Sequence, residues 1–133
     1  MIDDIDLNKA AIIRRCLRRI AEEYRDDPVR LDDFTIQDSI VLNILRACEA
    51  AIDLAMHRVA QGELGIPQTS RDAFEMLAQK GIINSACATA MKQMVGFRNI
   101  AVHSYQKIQK PVLEAIVKKH LIDFEDYLLE LHL

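Results

Sequence analysis

An all-α fold, a single up-and-down bundle of about five helices, follows from three features of the 133-residue sequence. Apolar residues recur at three- and four-residue spacing in five stretches, the period of helices that bury one face. Four Gly and three Pro leave little punctuation, which favours long elements. No stretch alternates apolar and polar residues as a half-buried strand would.

Ile5, Ile13, Cys16, Leu17, Ile20, Ala21 and Tyr24 place a first helix from about Asp4 to Arg25. Asp26-Asp27-Pro28 ends it, because the residue before proline is pushed out of the helical region. A second helix starts between Asp32 and Thr35 and runs to Val59 or Ala60, with Phe34, Ile40, Ile44, Cys48, Ala51, Ala55 and Val59 on its apolar side. Gly62, Gly65 and Pro67 stop it. At about 28 residues it is ~42 Å long and forms the spine of the bundle. Thr69 or Ser70 caps a short third helix carrying Phe74 and Leu77 and closed by Gly81. Asn84 or Ser85 caps a fourth, with Ala88, Met91, Met94, Val95 and Phe97, that ends between Val102 and Lys107. Pro111 suits the first turn of a fifth, whose buried side carries Val112, Ala115, Ile116, Leu121, Phe124, Leu128 and Leu131.

Residues 1–133 read as one domain, long enough to bury a self-sufficient core. Half the residues are hydrophobic and Trp is absent, so the core is aliphatic. A formal net charge of −3 lacks the strongly basic balance usual in nucleic-acid-binding proteins. Any such contact must come from a local patch or a dimer cleft. Cys16, Cys48 and Cys87 are far apart, with no C-x-x-C pairing, and read as reduced, buried thiols. The acidic N-terminus has no signal-peptide pattern, and no apolar run approaches the ~20 residues of a membrane span. A soluble, cytoplasmic protein with no membrane partner is expected.

Chemistry concentrates in Arg98-Asn99-Ile100-Ala101-Val102-His103-Ser104-Tyr105. Arginine offers a planar fork of donors for phosphate oxygens. Histidine moves protons near neutral pH. Together they suit cleavage of a phosphodiester, provided both meet one phosphate. On an ideal helix Arg98 and Tyr105 nearly share a face, and Asn99 and His103 share another. Arg98 and His103, five residues apart, diverge by about 140°. Either the helix loosens near its end, or a two-fold dimer brings two fourth helices together. The dimer also supplies a second imidazole, so that transesterification has both a base and an acid. The plain structural alternative makes Arg98 and His103 a capping pair for carbonyls at the helix C-terminus.

The run Met94-Val95-Gly96-Phe97-Arg98-Asn99-Ile100-Ala101-Val102-His103-Ser104-Tyr105 closely resembles the signature of the HEPN superfamily. More narrowly it resembles the HepT-like branch, whose motif is Arg, four residues, His, any residue, Tyr. Arg98, His103 and Tyr105 fill those places, and Asn99 matches the polar residue that commonly follows the Arg. Arg46 to His57 resembles the family's long second helix, and Thr69 to Gly81, with Arg71, Phe74 and Leu77, its short third one. The resemblance covers Asp32 to Lys107. It implies a metal-independent ribonuclease toxin that acts as a homodimer with paired motifs in one cleft. It further implies a cognate minimal nucleotidyltransferase antitoxin that transfers AMP to Tyr105. An added adenylyl group brings negative charge into a phosphate-binding cleft, by the same rules as phosphorylation.

On this reading His103 is the base toward the ribose 2′-hydroxyl, and Arg98 stabilises charge on the phosphoryl oxygens. Asn99 orients His103 or a phosphate, with packing or helix-end hydrogen bonding as equal alternatives. Tyr105 is a substrate contact and, as the resemblance implies, the AMPylation acceptor rather than a catalyst, since an unperturbed phenol titrates near 10. No cofactor or metal is called for. Arg46, Glu49, Asp53 and His57 form one polar stripe on the second helix. Spread over more than ~10 Å, its acidic and imidazole groups cannot grip one ion, so charge pairing is the better account. Asp53 is the first choice for a residue orienting Arg98 or His103.

Arg14, Arg15, Arg18 and Arg19 make the main basic cluster, read as a solvated face partly neutralised by Glu22, Glu23 and Asp26. The alternative is a track for RNA backbone, and Lys107, Lys110, Lys118 and Lys119 invite the same question. His120 and His132 read as surface residues, and Met76, Met91 and Met94 as core or dimer contacts. Against the ribonuclease stands one rival of another class, a non-catalytic helical subunit that binds a nucleotidyltransferase or presents nucleotide to it. The acidic net charge favours the rival; the intact Arg98, His103 and Tyr105 favour the nuclease.

Overall fold

The computed structural model describes residues 1–133 and contains helices and turns but no strand. Helix α1 spans Asp4–Tyr24, opened by an Asp3/Asp6 capping box and closed by Arg25 in the left-handed conformation. A 3₁₀ turn at Pro28–Asp32 follows. Asp33 caps α2, Phe34–Gln61, by accepting the N–H groups of Thr35 and Ile36. Thr69 caps α3, Ser70–Gln79, and Asn84 caps α4, Ser85–His103. The last helix, α5, comprises Lys110–Ala115, a π-helical turn at Ile116–His120 and Leu121–Glu130. The π turn and this 3₁₀ turn leave no signal in the apolar spacing. The N-caps of α1 to α4 have short polar side chains, because the first N–H groups of a helix lack internal partners.

Helix α2 is the spine. It runs 28 residues, α1 packs along it, and α3 and α4 pack against its other sides. One hydrophobic cluster of 35 buried residues draws on all five helices, so they share a single core. Small residues on α2 (Ala47, Cys48, Ala51 and Ala55, all buried) let neighbours approach closely. Cys48 Sγ donates to the Met94 carbonyl of α4 at 3.6 Å. Tyr127 of α5 is fully buried. Its ring meets Phe74 edge to face at 5.5 Å, and its hydroxyl donates to the Ala51 carbonyl at 3.0 Å. A buried tyrosine is tolerated because its hydroxyl finds that acceptor.

Four residues assigned to apolar helix faces are in fact exposed: Ile5, Ala21, Phe34 and Val112. Phe34 is the first residue of α2 and lies beyond the end of the core. Val112 faces an apolar groove between α4 and α5, lined also by Met94, Phe97 and Ile100. Met91 and Met94 are core residues, and Met76 packs at the core's edge. All three cysteines are buried and reduced. No helix is long and apolar enough to cross a membrane.

A polar latch ties both chain ends to α2. Asp6 is completely buried and accepts from Arg58 Nε at 2.7 Å, while Arg58 Nη2 donates to the Leu131 carbonyl at 3.1 Å. Removing one partner of a buried ion pair strands the other charge, at a cost of about 3–5 kcal/mol. Arg58→Leu is therefore expected to lower the stability by about 3 kcal/mol or more, read from the denaturant midpoint at constant m-value.

Candidate active site at the end of helix α4

Helix α4 stays regular through His103, the point on which the motif's geometry turns. The Ser104 N–H reaches the Ile100 carbonyl at 2.8 Å, and only Ser104 leaves helical geometry, at φ −148° and ψ 47°. A serine can bond locally to backbone and so competes with helix continuation. The chain then turns through a 3₁₀ segment, Tyr105–Lys107. Arg98 and His103 thus sit on one unbroken helix and point about 140° apart. Loosening of the helix before His103 does not occur.

Arg98 is turned inward, toward α2 and α3. Its Nη2 donates to Ser70 Oγ at 2.9 Å, and its Nε lies 3.3 Å from Glu49 Oε1. That Nε is buried without an aligned hydrogen bond, so Glu49 holds the guanidinium as a counter-charge. Two fixed points restrain a side chain that otherwise has much rotamer freedom. Arg71 lies alongside, with Nε toward the Lys92 carbonyl at 3.4 Å. Gly96 makes room for it: a Cβ there would sit 3.1 Å from Arg71 Nη2. Asn99, next to Arg98, is partly buried.

His103 is exposed on the final turn of α4. The chain's histidine–carboxylate pairs are His57–Asp3 and His120–Asp123, and His103 belongs to neither. The capping-pair reading fails for Arg98, whose partners are side chains of other helices.

Tyr105 does not share a helix face with Arg98, because α4 has ended. Its ring turns over α2, where Val41, Leu42, Leu45 and Ala101 line a shallow cavity with it and Asp38. The phenol donates a short hydrogen bond to Asp38 Oδ1. Burial, and then the hydrogen bond and charge of Asp38, disfavour the phenolate and push the hydroxyl up to about 12.

Asp53 does not orient the motif. It pairs with Lys9 of α1 at 3.0 Å, because one turn beyond Glu49 the stripe on α2 has rotated past α4 toward α1. Charge pairing does explain the stripe: Glu49 meets α4, Asp53 meets α1, and His57 meets Asp3 at the cap of α1 at 2.7 Å. In the sequence Ser70 reads only as a helix cap and Asp38 carries no signal, since both act on the motif across long chain separations.

Among the flanking basic residues, Arg14 donates to the Leu133 carbonyl at 2.7 Å and Arg19 pairs with Glu22 at 3.4 Å. Lys110 pairs with Asp32 at 2.6 Å and Lys118 with Glu114 at 2.7 Å. His120 meets Asp123, and His132 is exposed.

The sequence profile of the family described as "Ribonuclease HepT-like" matches residues 11–131. The chain belongs to that family. It is 47% identical over 127 residues to the mRNA nuclease HepT of Shewanella oneidensis, covering 96% of both chains. Among solved structures it is similar to a tri-AMPylated Shewanella oneidensis HEPN toxin in complex with MNT antitoxin, at 45% identity and a TM-score of 0.93 over 98% of each chain. A toxin–antitoxin structure with AMP-PNP matches equally, again at 0.93, 45% identity and 98% of each chain. A Bacillus subtilis cytosolic protein of unknown function shares the fold alone, at 13% identity and a TM-score of 0.68, with 90% of this chain and 85% of the other covered. The HepT-like helical bundle is thus the fold of this chain from end to end.

Two causes raise the Tyr105 titration, burial and the Asp38 carboxylate, and only the second can be removed without disturbing the ring. Asp38→Asn keeps an oxygen acceptor and removes the charge. The phenol is expected to titrate clearly lower in the variant, yet still above 10, read by ultraviolet difference spectroscopy against Tyr105→Phe.

Proposed function

We propose that this protein is a metal-independent endoribonuclease toxin, acting in the cytoplasm as a homodimer and held in check by a minimal nucleotidyltransferase antitoxin. The observation that carries the reading is the end of α4. It presents an exposed imidazole, His103, and five residues earlier a guanidinium, Arg98, already fixed by Glu49 and Ser70. Those are the groups that phosphodiester transesterification requires, in a chain whose relative is named as an mRNA nuclease.

Divergence of the two side chains is resolved by pairing two copies of α4 in one cleft. His103 takes the proton of the ribose 2′-hydroxyl as its oxygen attacks phosphorus. The partner subunit's His103 donates a proton to the departing 5′-oxygen, leaving a 2′,3′-cyclic phosphate. Arg98 neutralises the charge that builds on the non-bridging oxygens, and because it is already oriented, little reorganisation is needed at that moment. Imidazole supplies both proton transfers, so the chemistry needs no metal. Asn99 borders the same cleft and orients phosphate or imidazole. The relative's name supports messenger RNA as the substrate class.

Tyr105 is proposed as the AMPylation acceptor, in line with the tri-AMPylated state of the similar toxin in its antitoxin complex. A phosphodiester added two residues beyond His103 places negative charge and bulk where RNA phosphate must lie.

Arg98→Ala and His103→Ala should each reduce RNA cleavage by at least about a hundredfold. Wild-type activity should persist in a chelator and yield 2′,3′-cyclic ends. Expression of the chain alone should arrest growth, and either variant should relieve the arrest. Equal growth arrest by wild type and His103→Ala would remove the nuclease reading.

A further inference from the structure

Asp38 belongs to no motif of the sequence, yet its carboxylate receives the Tyr105 hydroxyl across 67 residues of chain. It sits near the start of α2, exposed, between Phe34 and Leu42 one turn to either side, both also exposed. Tyr105 is 41% exposed: its ring rests in the cavity formed with Val41, Leu42, Leu45 and Ala101. An incoming active site can therefore reach the phenol oxygen while α2 holds the ring still and keeps a carboxylate on the proton.

A tyrosine that attacks phosphorus must lose that proton as the new bond forms. The Tyr105 hydroxyl titrates at about 12, so at neutral pH almost none of it is phenolate. Its reaction needs a base in the transition state. An aspartate accepting the proton of an attacking hydroxyl is a recurring part of phosphoryl transfer. In this fold the acceptor chain carries such a group itself, already hydrogen-bonded to the nucleophile.

We propose that Asp38 is the general base for AMPylation of Tyr105. The phenol oxygen of Tyr105 attacks the α-phosphorus of ATP held by the antitoxin, forming the tyrosyl–phosphorus bond. The bond from the α-phosphorus to the bridging oxygen breaks, pyrophosphate leaves with that electron pair, and the phenol proton passes to Asp38. The inference rests on the reading of Tyr105 as AMP acceptor and adds what makes that tyrosine reactive. Susceptibility to the antitoxin is thereby written into α2 of the toxin, far in sequence from the nuclease motif.

The test incubates the full chain with the MNT antitoxin of the Shewanella oneidensis complex and magnesium ATP, and follows intact mass. Asp38→Asn still accepts a hydrogen bond, which preserves the ring's placement, but it cannot take a proton. Its first AMP addition is expected to slow by about a hundredfold, with the KM for ATP unchanged and with partial recovery in Asp38→Glu. A fluorinated tyrosine at position 105, being more acidic, is expected to shrink the Asp38→Asn defect to about tenfold or less. Asp38→Asn modified at the wild-type rate, or an undiminished defect with the fluorinated tyrosine, overturns the role of Asp38 and leaves Tyr105 as acceptor. A wild-type chain that gains no AMP, or modification that persists in Tyr105→Phe, overturns the acceptor reading and the inference with it.

Discussion

The unbroken helical geometry of α4 between Arg98 and His103 is the constraint on which the rest depends. Five residues on a straight helix separate two side chains by about 140°, and the helix stays straight through His103. One subunit therefore offers a guanidinium on one side and an imidazole on another. Arg98 is bound inward by Glu49 and Ser70, whereas His103 stands at the surface. In the proposed dimer a second copy of the helix brings both groups to one phosphate and provides the second imidazole for acid–base chemistry. The proposed dimer accounts for the motif's spacing in this way.

Helix α2 imposes the second level of organisation. Its polar residues each take a different neighbour: Asp38 takes Tyr105, Glu49 takes Arg98, Asp53 takes Lys9, and His57 takes Asp3. As the helix turns by about 100° per residue, successive charges sweep past the 3₁₀ turn, α4, α1 and the N-terminal cap in order. Packing and site assembly are therefore coupled. The small residues that let α4 approach α2 through Cys48 also bring Glu49 within reach of Arg98.

Much of this was legible in the sequence, and the misses have physical causes. The five helices follow from apolar period and cap chemistry, and Asp3, Asp33, Thr69 and Asn84 occupy the caps. The π turn at Ile116–His120 was invisible because one extra residue in a turn scarcely disturbs an apolar pattern. Ile5, Ala21, Phe34 and Val112 fall on apolar faces by spacing yet are exposed, because periodicity gives the direction of a face but not how far the neighbouring helix extends along it. Arg98, His103 and Tyr105 stood out by spacing and resemblance. Their supports did not: Ser70 and Asp38 reach the motif only through tertiary packing. On the stripe, Asp53 was favoured over Glu49, a choice of one turn that depends on the crossing point of α2 and α4, which sequence does not specify.

The central claim is most directly tested by a tethered dimer in which one copy is wild type and the other carries His103→Ala. If two fourth helices build one cleft that uses both imidazoles, RNA cleavage should fall far below half of the wild-type tethered dimer, by about tenfold or more. Half the wild-type rate, as from two independent sites, would contradict the account.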